Sequence, residues 1–339
     1  MIRRSKSLVL FFIILTISPC CLAQKWRVQT DSLLRAYKEA ATATQKVKPL
    51  TEAAFVFLLQ NPDTSMLLYT EAESIAQSSS NDTALAMVYA GKSAVYLIRD
   101  NSELTLEYAL KGLKISERTS LPPDVLAALY RKLGYVYRNT NKHREAIEVY
   151  KKALAYSRLS NNLYDMATTS SNIGNNFNAC KQYDSALVYH AKTLQAARAG
   201  NFKDIVARTY IQIINSYNGL KNYSKAFEAV ADMQPYLSDT EVTPITKGLA
   251  FTVIAKLDMR HGTAQHPLAK CYLDSMKRLI TTTSPGKDNL IDYYLSRALL
   301  EFSVQHYDSA SAALELYDEL KKVHDDEIIS GHAQELDAR

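Results

Sequence analysis

The stretch YRKLGYVY, from Tyr130 to Tyr137, is followed at fixed distances by Ala146, Tyr150 and Ala153. Ile173 to Phe177 repeats its pattern and is followed by Ala186, and Ile213 to Tyr217 repeats it again before Ala226. The residues Ala146, Ala186 and Ala226 are spaced 40 apart. Self-similarity at a fixed period of this size is the mark of a repeat architecture. The sequence therefore predicts a chain of similar helix pairs.

Weaker copies extend the pattern in both directions. Upstream, Thr105 and Ser65 fill the small-residue position, while Tyr96 and Val56 fill the aromatic or apolar one. Downstream, the tetrapeptide Tyr307 to Ala310 copies Tyr183 to Ala186, and the gap before it leaves room for one degenerate copy around Leu268.

Each recurring position has an expected packing role. Small residues on the second helix allow the two helices of a pair to approach closely. Large residues (Tyr137, Phe177, Tyr217) are expected where a pair packs on its neighbour, and Gly134 and Gly174 where two helix backbones come nearest. Acidic residues recur at the starts of first helices, where they are expected to cap N–H groups and complement the helix dipole: Asp82, Asp124, Asp165 and Asp204.

These residues make the chain resemble the tetratricopeptide repeat (TPR) family. The best copy matches at Leu133, Gly134, Tyr137, Ala146, Tyr150 and Ala153, and the resemblance covers about residues 50–320. It departs from the family in its longer period (about 34 is usual), in lacking most terminal prolines, and in weak first and sixth copies. Longer helices or longer loops would account for the period. The resemblance implies an all-α fold: an α-solenoid of about seven TPR-like helix hairpins with an inner concave face.

Residues 1–23 predict a signal peptide. Arg3, Arg4 and Lys6 precede an apolar run, and Cys21-Leu22-Ala23 offers a cleavage site before Gln24. Lipidation at a cysteine of this segment fits less well, because neither candidate follows a small residue. We therefore expect a chain exported to the periplasm or envelope. The remaining segments are a capping helix within 24–49 (Asp31 to Thr42), the solenoid at 50–320, and a C-terminal helix at 321–339, the possible start of a longer linker.

Composition and charge exclude several classes of function. Hydrophobic residues make up 47% of the chain and charged residues 22%, as in a soluble folded protein. Loss of three basic residues with the signal peptide reduces the net charge from +5 to +2, so nucleic acid is not an expected partner. Of the four cysteines, Cys180 and Cys271 remain, and we expect both to be free, buried thiols.

No catalytic or metal-binding motif is evident. The seven histidines form no HExxH pair, and His261 with His266 indicates a surface loop. Nucleophile elbows, phosphate-binding glycine loops and CxxC motifs are missing from the sequence. We expect no enzymatic activity, no cofactor and no metal.

The resemblance instead places function on the concave face, lined by first helices. The candidate residues for binding a peptide or protein there are Arg131, Tyr135, Arg138, Ser171, Asn175, Asn178, Arg208, Asn215 and Asn218. Asparagine amides can pair with a peptide backbone, and arginines with carboxylates. The alternative is that these are ordinary polar residues of a wet helix face. Ile211 stands where the two-carboxylate clamp of some TPR domains needs a polar residue.

The leading interpretation is a non-enzymatic, exported bacterial protein that binds a peptide or protein. It is similar to the periplasmic TPR domains that precede a membrane helix and an output module in bacterial sensors. Membrane contact would come only from the signal peptide or a C-terminal continuation. A stand-alone envelope adaptor is the alternative. A glycan-binding protein is a third, weakened because Trp26 is the only tryptophan.

Overall fold

The computed structural model describes residues 30–261, 267–282 and 287–337, and every regular element in these ranges is an α-helix. The predicted signal peptide, Trp26 and His266 lie outside the described residues. The chain divides into two compact units, unit 1 (Met1–Asn162) and unit 2 (Leu163–Arg339). The described helices of unit 1 are α1 (30–39), α2 (Ala43–Phe57), α3 (Pro62–Ser78), α4 (Asp82–Ile98), α5 (Ser102–Ile115), α6 (Pro123–Asn139) and α7 (His143–Leu159). Those of unit 2 are α8 (Leu163–Ala179), α9 (Tyr183–Ala199), α10 (Lys203–Gly219), α11 (Tyr223–Leu237), α12 (Pro244–His261), α13 (Pro267–Thr282), α14 (Lys287–Ser303) and α15 (Tyr307–Asp337).

Helices α2 to α15 pair as seven consecutive hairpins across the described ranges, which confirms the predicted all-α repeat fold. Helices α6 to α10 each contain 17 residues and are joined by three-residue turns. Two such helices and two such turns give the 40-residue period. The extra length over a usual TPR unit therefore lies in the helices.

The turns share one backbone conformation. Asn141, Asn161, Lys181, Asn201 and Lys221 each have a φ between 51° and 59°. At the end of α6, the N–H of Lys142 donates to the carbonyl of Tyr137 at 2.8 Å and the N–H of Asn141 to that of Arg138 at 3.0 Å. A left-handed residue with this bond pair ends a helix and satisfies its last carbonyls.

The small residues behave as predicted. Ser65, Thr105, Ala146, Ala186 and Ala226 are fully buried on their second helices. In the degenerate sixth copy the position belongs to Ala269, one residue after Leu268, because Ala269 is fully buried whereas Leu268 is half-buried.

Two glycines and Phe177 contact aromatic rings inside their own hairpins. Gly134 and Gly174 each face an aromatic ring of the hairpin's second helix: a Cβ at 134 would lie 2.7 Å from the Tyr150 ring, and one at 174 would lie 2.5 Å from the His190 ring. Phe177 packs on Tyr189 within its own hairpin, with ring centroids 5.5 Å apart. At both glycines the missing side chain makes room for a ring of the facing helix.

The acidic residues lie in the first turns of their helices, where the dipole favours them. In α4, α6 and α10 another residue is the N-cap. The N-cap of α4 is Asn81. The Asp82 carboxylate instead accepts from Arg118 Nε at 2.8 Å and Nη2 at 2.7 Å, and from Thr119. These residues precede the next hairpin, so Asp82 links two successive hairpins.

Several predicted boundaries fall inside helices. Helix α2 begins at Ala43, with a capping box at Thr42, and so crosses the expected boundary between 49 and 50. Helix α15 likewise crosses the boundary between 320 and 321. Both cysteines are free, but Cys180 is half-buried and Cys271 is exposed, so the expectation of two buried thiols is wrong. Among the described helices, none has the length and apolar character needed to cross a membrane.

Candidate functional site

The first helices of three successive hairpins in unit 1 enclose a groove. Residues of α2, α4 and α6 line it, with Tyr69 of α3 beneath, and its volume is about 380 Å³. Small-molecule and peptide sites in proteins begin at about this size. We call it the unit 1 groove.

The floor of the unit 1 groove is apolar. Phe55 and Val56 come from α2, Met87 and Ala90 from α4, and Val125 from α6. Phe55 is 67% exposed, which is unusual for a phenylalanine in a helix that otherwise packs well. An apolar surface of this kind is a favourable place for an apolar side chain of a ligand.

Gly91 of α4 is a buried residue of the groove lining that lies against the ring of Tyr69. A Cβ at this position would overlap that ring. Tyr69 is only 3% exposed, so it fills the space below the floor. Any side chain at position 91 would therefore displace the ring of Tyr69.

Charged residues form the walls. Glu52 and Asp124 carry negative charge, and Arg131 and Lys132 carry positive charge. The mixture offers partners for both the N–H and the C=O groups of a peptide backbone. Asp124, interpreted from the sequence as a helix-start residue, thus also lies on this wall.

Of the predicted binding residues, Arg131 lines the unit 1 groove. Tyr135 and Arg138 lie further along α6 and pair with each other, with the guanidinium 4.4 Å from the ring centroid. The structure therefore separates these two residues from the groove lining.

In unit 2, the predicted residues of α8 take part in packing to different degrees. Asn178 accepts a hydrogen bond from Ser216 at 2.8 Å, and its amide nitrogen lies 3.4 Å from His190 Nε2. The polar atoms of Asn178 therefore contact α9 and α10, the two helices that pack on α8. Asn175 is half-buried, and its Oδ1 has no hydrogen-bond partner among the described residues. Ser171 is half-buried.

On α10, Arg208 bonds Asp204 Oδ2 at 2.8 Å and Thr246 at 2.9 Å. Asn215 is exposed, and Asn218 is half-buried. Ile211, expected at a ligand-facing position, is buried at 4% exposure. The first helices of unit 2 thus use much of their polarity to join neighbouring hairpins.

His190 is a fully buried histidine with a shifted pKa. Its ring is fully buried against Gly174, and its Nδ1 has no hydrogen-bond partner among the described residues. Burial lowers the pKa of His190 from its ordinary 6.5 to about 4. The imidazole is therefore neutral near pH 7 and acts as a packing residue.

A second cavity, of about 300 Å³, lies between α13 and α14. Glu301 accepts from Arg297 at 2.7 Å and is 3.0 Å from His306 Nδ1. Burial opposes ionisation of Glu301, but the bonds from Arg297 and His306 outweigh it and hold its pKa below the usual range. In the described ranges, no group of three or more metal-ligating side chains is assembled.

Sequence reasoning missed the floor of the unit 1 groove. Val56 fills the aromatic or apolar position of the repeat, and Phe55 beside it carries no repeat signal. Apolar residues on a first helix give the same periodicity whether they face the hairpin partner or a groove. A large apolar residue, Phe55, next to a position of the repeat pattern is the feature of the sequence that indicates this floor.

Comparison with known proteins identifies the fold. No protein-family model and no curated protein matches the chain. Among solved structures, the chain is similar to the apo form of RapI, with a TM-score of 0.60, 14% identity, and coverage of 82% of this chain and 98% of that one. NprR in complex with its cognate peptide NprX gives a TM-score of 0.53 and 12% identity, covering 81% and 79% of the two chains.

A signal transduction ATPase with a tetratricopeptide repeat sensor from Pyrococcus horikoshii gives a TM-score of 0.66 at 16% identity, covering 95% of this chain and 49% of that one. At these identities the likeness concerns the fold alone. Together with the seven hairpins, it shows that this chain has the TPR-type helical repeat fold.

Proposed function

We propose that this protein is a non-enzymatic module that binds a peptide or a protein segment in the unit 1 groove. The observation that carries the proposal is the apolar floor around the exposed Phe55, enclosed by walls of both charges. The similarity to NprR, which was solved with its cognate peptide, supports a peptide as the ligand class.

The groove favours a ligand with a large apolar side chain. Such a side chain would cover Phe55, Val56 and Met87 and remove their surface from water, at about 25 cal/mol per Å². The backbone around it would meet Glu52 on α2 and Asp124 and Arg131 on α6.

Selection of binders from a random peptide library on the purified protein tests this proposal. Phe55→Glu is expected to weaken the selected peptides at least tenfold, because it buries a charge against an apolar side chain. Leu67→Glu is the matched control, since Leu67 is 71% exposed on α3 and lies outside the groove lining. Equal loss in both variants, or in neither, would exclude the groove.

Binding of the selected peptides also shows whether the predicted residues of unit 1 or those of unit 2 form the site. Arg131→Ala should weaken them, whereas a pair of changes in unit 2, Asn175→Ala with Asn215→Ala, should not. The reverse result would move the binding site to the first helices of unit 2.

We further propose that the protein works in the bacterial envelope as the sensory part of a signalling regulator. The charged and apolar pattern of residues 1–23 supports export. N-terminal sequencing of the chain expressed in bacteria should find Gln24 first, and retention of Met1 would contradict export. For the sensor role, the gene should continue past codon 339 into an apolar run of about 20 residues, and a stop codon there would contradict it.

A further inference from the structure

Tyr150 of α7 carries a deeply buried hydroxyl group. Its side chain is fully buried in the hairpin of α6 and α7, and its ring lies against Gly134. The hydroxyl has no hydrogen-bond partner within the part of the chain that the structure describes. A buried hydroxyl without a partner costs free energy, so most such groups in folded proteins are paired. This hydroxyl is therefore a candidate donor for a ligand.

Three side chains of α6 lie close to the hydroxyl. Positions 131, 135 and 138 follow one another at intervals of four and three residues, and Gly134 lies between them, so all four share one face of the helix. Because the Tyr150 ring covers Gly134, its hydroxyl lies among Arg131, Tyr135 and Arg138. Burial raises the pKa of Tyr150, and the charges of Arg138 and Arg131 act in the opposite direction. The hydroxyl stays protonated near pH 7, as a donor beside two cations.

A protonated donor beside two guanidinium groups favours an anionic acceptor. A carboxylate accepts hydrogen bonds from a hydroxyl and from the fork of an arginine, and such charge-assisted bonds are stronger than neutral ones. Asp124, the acidic residue of α6 in the groove lining, lies at the opposite end of this helix, two turns before Arg131. The end of the face near Tyr150 therefore suits a carboxylate.

The hydroxyl lies beyond one end of the unit 1 groove. Arg131 and Ala128 both belong to the groove lining, one turn apart on α6. Gly134, which the Tyr150 ring covers, follows Ala128 by six residues, or about 9 Å along the helix axis. An extended peptide spans this distance in about three residues. A peptide whose apolar side chain fills the groove can thus carry a carboxylate to the hydroxyl.

We propose that Tyr150, Arg131 and Arg138 form a carboxylate subsite, which selects peptides with an acidic group about three residues from the apolar side chain. The inference rests on the proposed function, since it adds a second anchor beside the same groove. The hydroxyl has no exposed surface, so Arg138 rotates away when the carboxylate binds. Arg138 is half-buried and contacts the Tyr135 ring at 4.4 Å and Asn139 Oδ1 at 3.3 Å. Side chains at a protein surface make such rotations within nanoseconds.

Tyr150→Phe tests the subsite, because it removes one oxygen atom and keeps the ring against Gly134. The probe is the tightest peptide selected on the purified protein, and titration calorimetry measures its dissociation constant. The constant should rise about tenfold or more, because a hydrogen bond to a charged group is lost. The free energy of unfolding in urea should stay equal or rise, because the variant loses a buried hydroxyl that no described residue pairs with.

Two further variants complete this test. Tyr156→Phe is the matched control, because it makes the same change on the same helix, at a half-buried ring that stacks on Tyr130. It should leave the dissociation constant unchanged. Arg138→Gln should raise the constant, since it removes one of the two cations beside the hydroxyl.

Changes in the peptide identify the acidic group. Amidation of the C-terminus tests the terminal carboxylate, and replacement of each acidic side chain by its amide tests the others. The change that removes the bound carboxylate should weaken binding to the wild-type protein, and Tyr150→Phe should then have no further effect.

Three results would overturn the subsite: selected peptides without an acidic group, wild-type affinity in Tyr150→Phe, or an equal loss in Tyr150→Phe with fully amidated peptides. If Phe55→Glu still weakens binding in these cases, the proposed function stands and the subsite alone fails. A selection that yields no binder, or binders insensitive to Phe55→Glu, contradicts both.

Discussion

The ring of Tyr150 lies against Gly134 of the preceding helix, leaving so little room that a Cβ at position 134 would come within 2.7 Å of it. Gly174 and His190 form the same pair one period later. At the next period the residues are Ile214 and Val230, both buried. In the first two hairpins a glycine faces a large ring, whereas in the third two aliphatic side chains fill the same space.

Because the Tyr150 ring fills the space beside Gly134, substitutions at these two residues should have coupled effects on the free energy of unfolding. Gly134→Ala should destabilise the protein by about 1–3 kcal/mol, because overpacking outweighs the helix propensity gained. Combined with Tyr150→Val, which makes room, the same change should become neutral or stabilising relative to Tyr150→Val alone. Urea unfolding of the four proteins in the cycle measures the coupling, and additive effects would contradict it.

His190 should make stability depend on pH. Its folded-state pKa of about 4 lies below the ordinary 6.5, so the folded state favours the neutral ring. The stabilisation is fully present above pH 6.5 and is lost as the pH falls toward 4, by on the order of 3 kcal/mol at most.

Replacement of His190 tests this pH dependence. His190→Tyr should fold, because the α6–α7 hairpin already places Tyr150 against a glycine, and it should remove most of the loss between pH 6.5 and 4. Urea unfolding at several pH values measures it. An unchanged pH profile in His190→Tyr would show that other groups cause the loss.

The link between Asp82 and Arg118 should hold the segment before α6. Hydrogen bonds from Arg118 and Thr119 lower the pKa of Asp82 to about 2. The stabilisation from this carboxylate is present above its ordinary pKa of 3.8 and is lost as the pH falls toward 2.

Asp82→Asn and Arg118→Gln should therefore each speed amide exchange in residues 116–121 at pH 7, and the double variant should exchange no faster than either single one. Glu117→Gln is the control, because this exposed residue lies in the same segment. Additive increases would show that the two side chains act separately.

The left-handed turns offer a stabilising change. Lys181 has a φ of 59°, a conformation that costs an L-residue with a Cβ about 1 kcal/mol or more. Lys181→Gly should raise the free energy of unfolding by about 0.5 kcal/mol, since the entropy cost of glycine offsets part of the gain. Gln195→Gly, at an exposed position inside α9, should lower it by about 1 kcal/mol. A loss of stability in both would contradict the strain at Lys181.

The repeat fold could be predicted from the sequence because its evidence is periodic. Ala146, Ala186 and Ala226 recur 40 residues apart and are fully buried, since close helix packing admits only a small side chain at each copy. The partners of non-repeating side chains could not be predicted in this way. Asp82 follows the repeat period, yet its bond to Arg118 depends on how the chain turns before α6.

The predicted binding residues show the same limit. Arg131 lines the unit 1 groove. Asn178 instead accepts a hydrogen bond from Ser216, and Arg208 donates to Asp204 and Thr246. Helical spacing indicates which side chains share a face. It does not indicate which of them a neighbouring hairpin will engage.

The period, the helical class and the small residues inside each hairpin could be predicted, because they follow from local spacing and side-chain volume. The packed hairpins are needed to show which polar residues join successive hairpins, which ring fills the space over each glycine, and where an apolar face stays open. Those outcomes depend on contacts between residues far apart in the chain. Phe55 in the unit 1 groove is one open face that results.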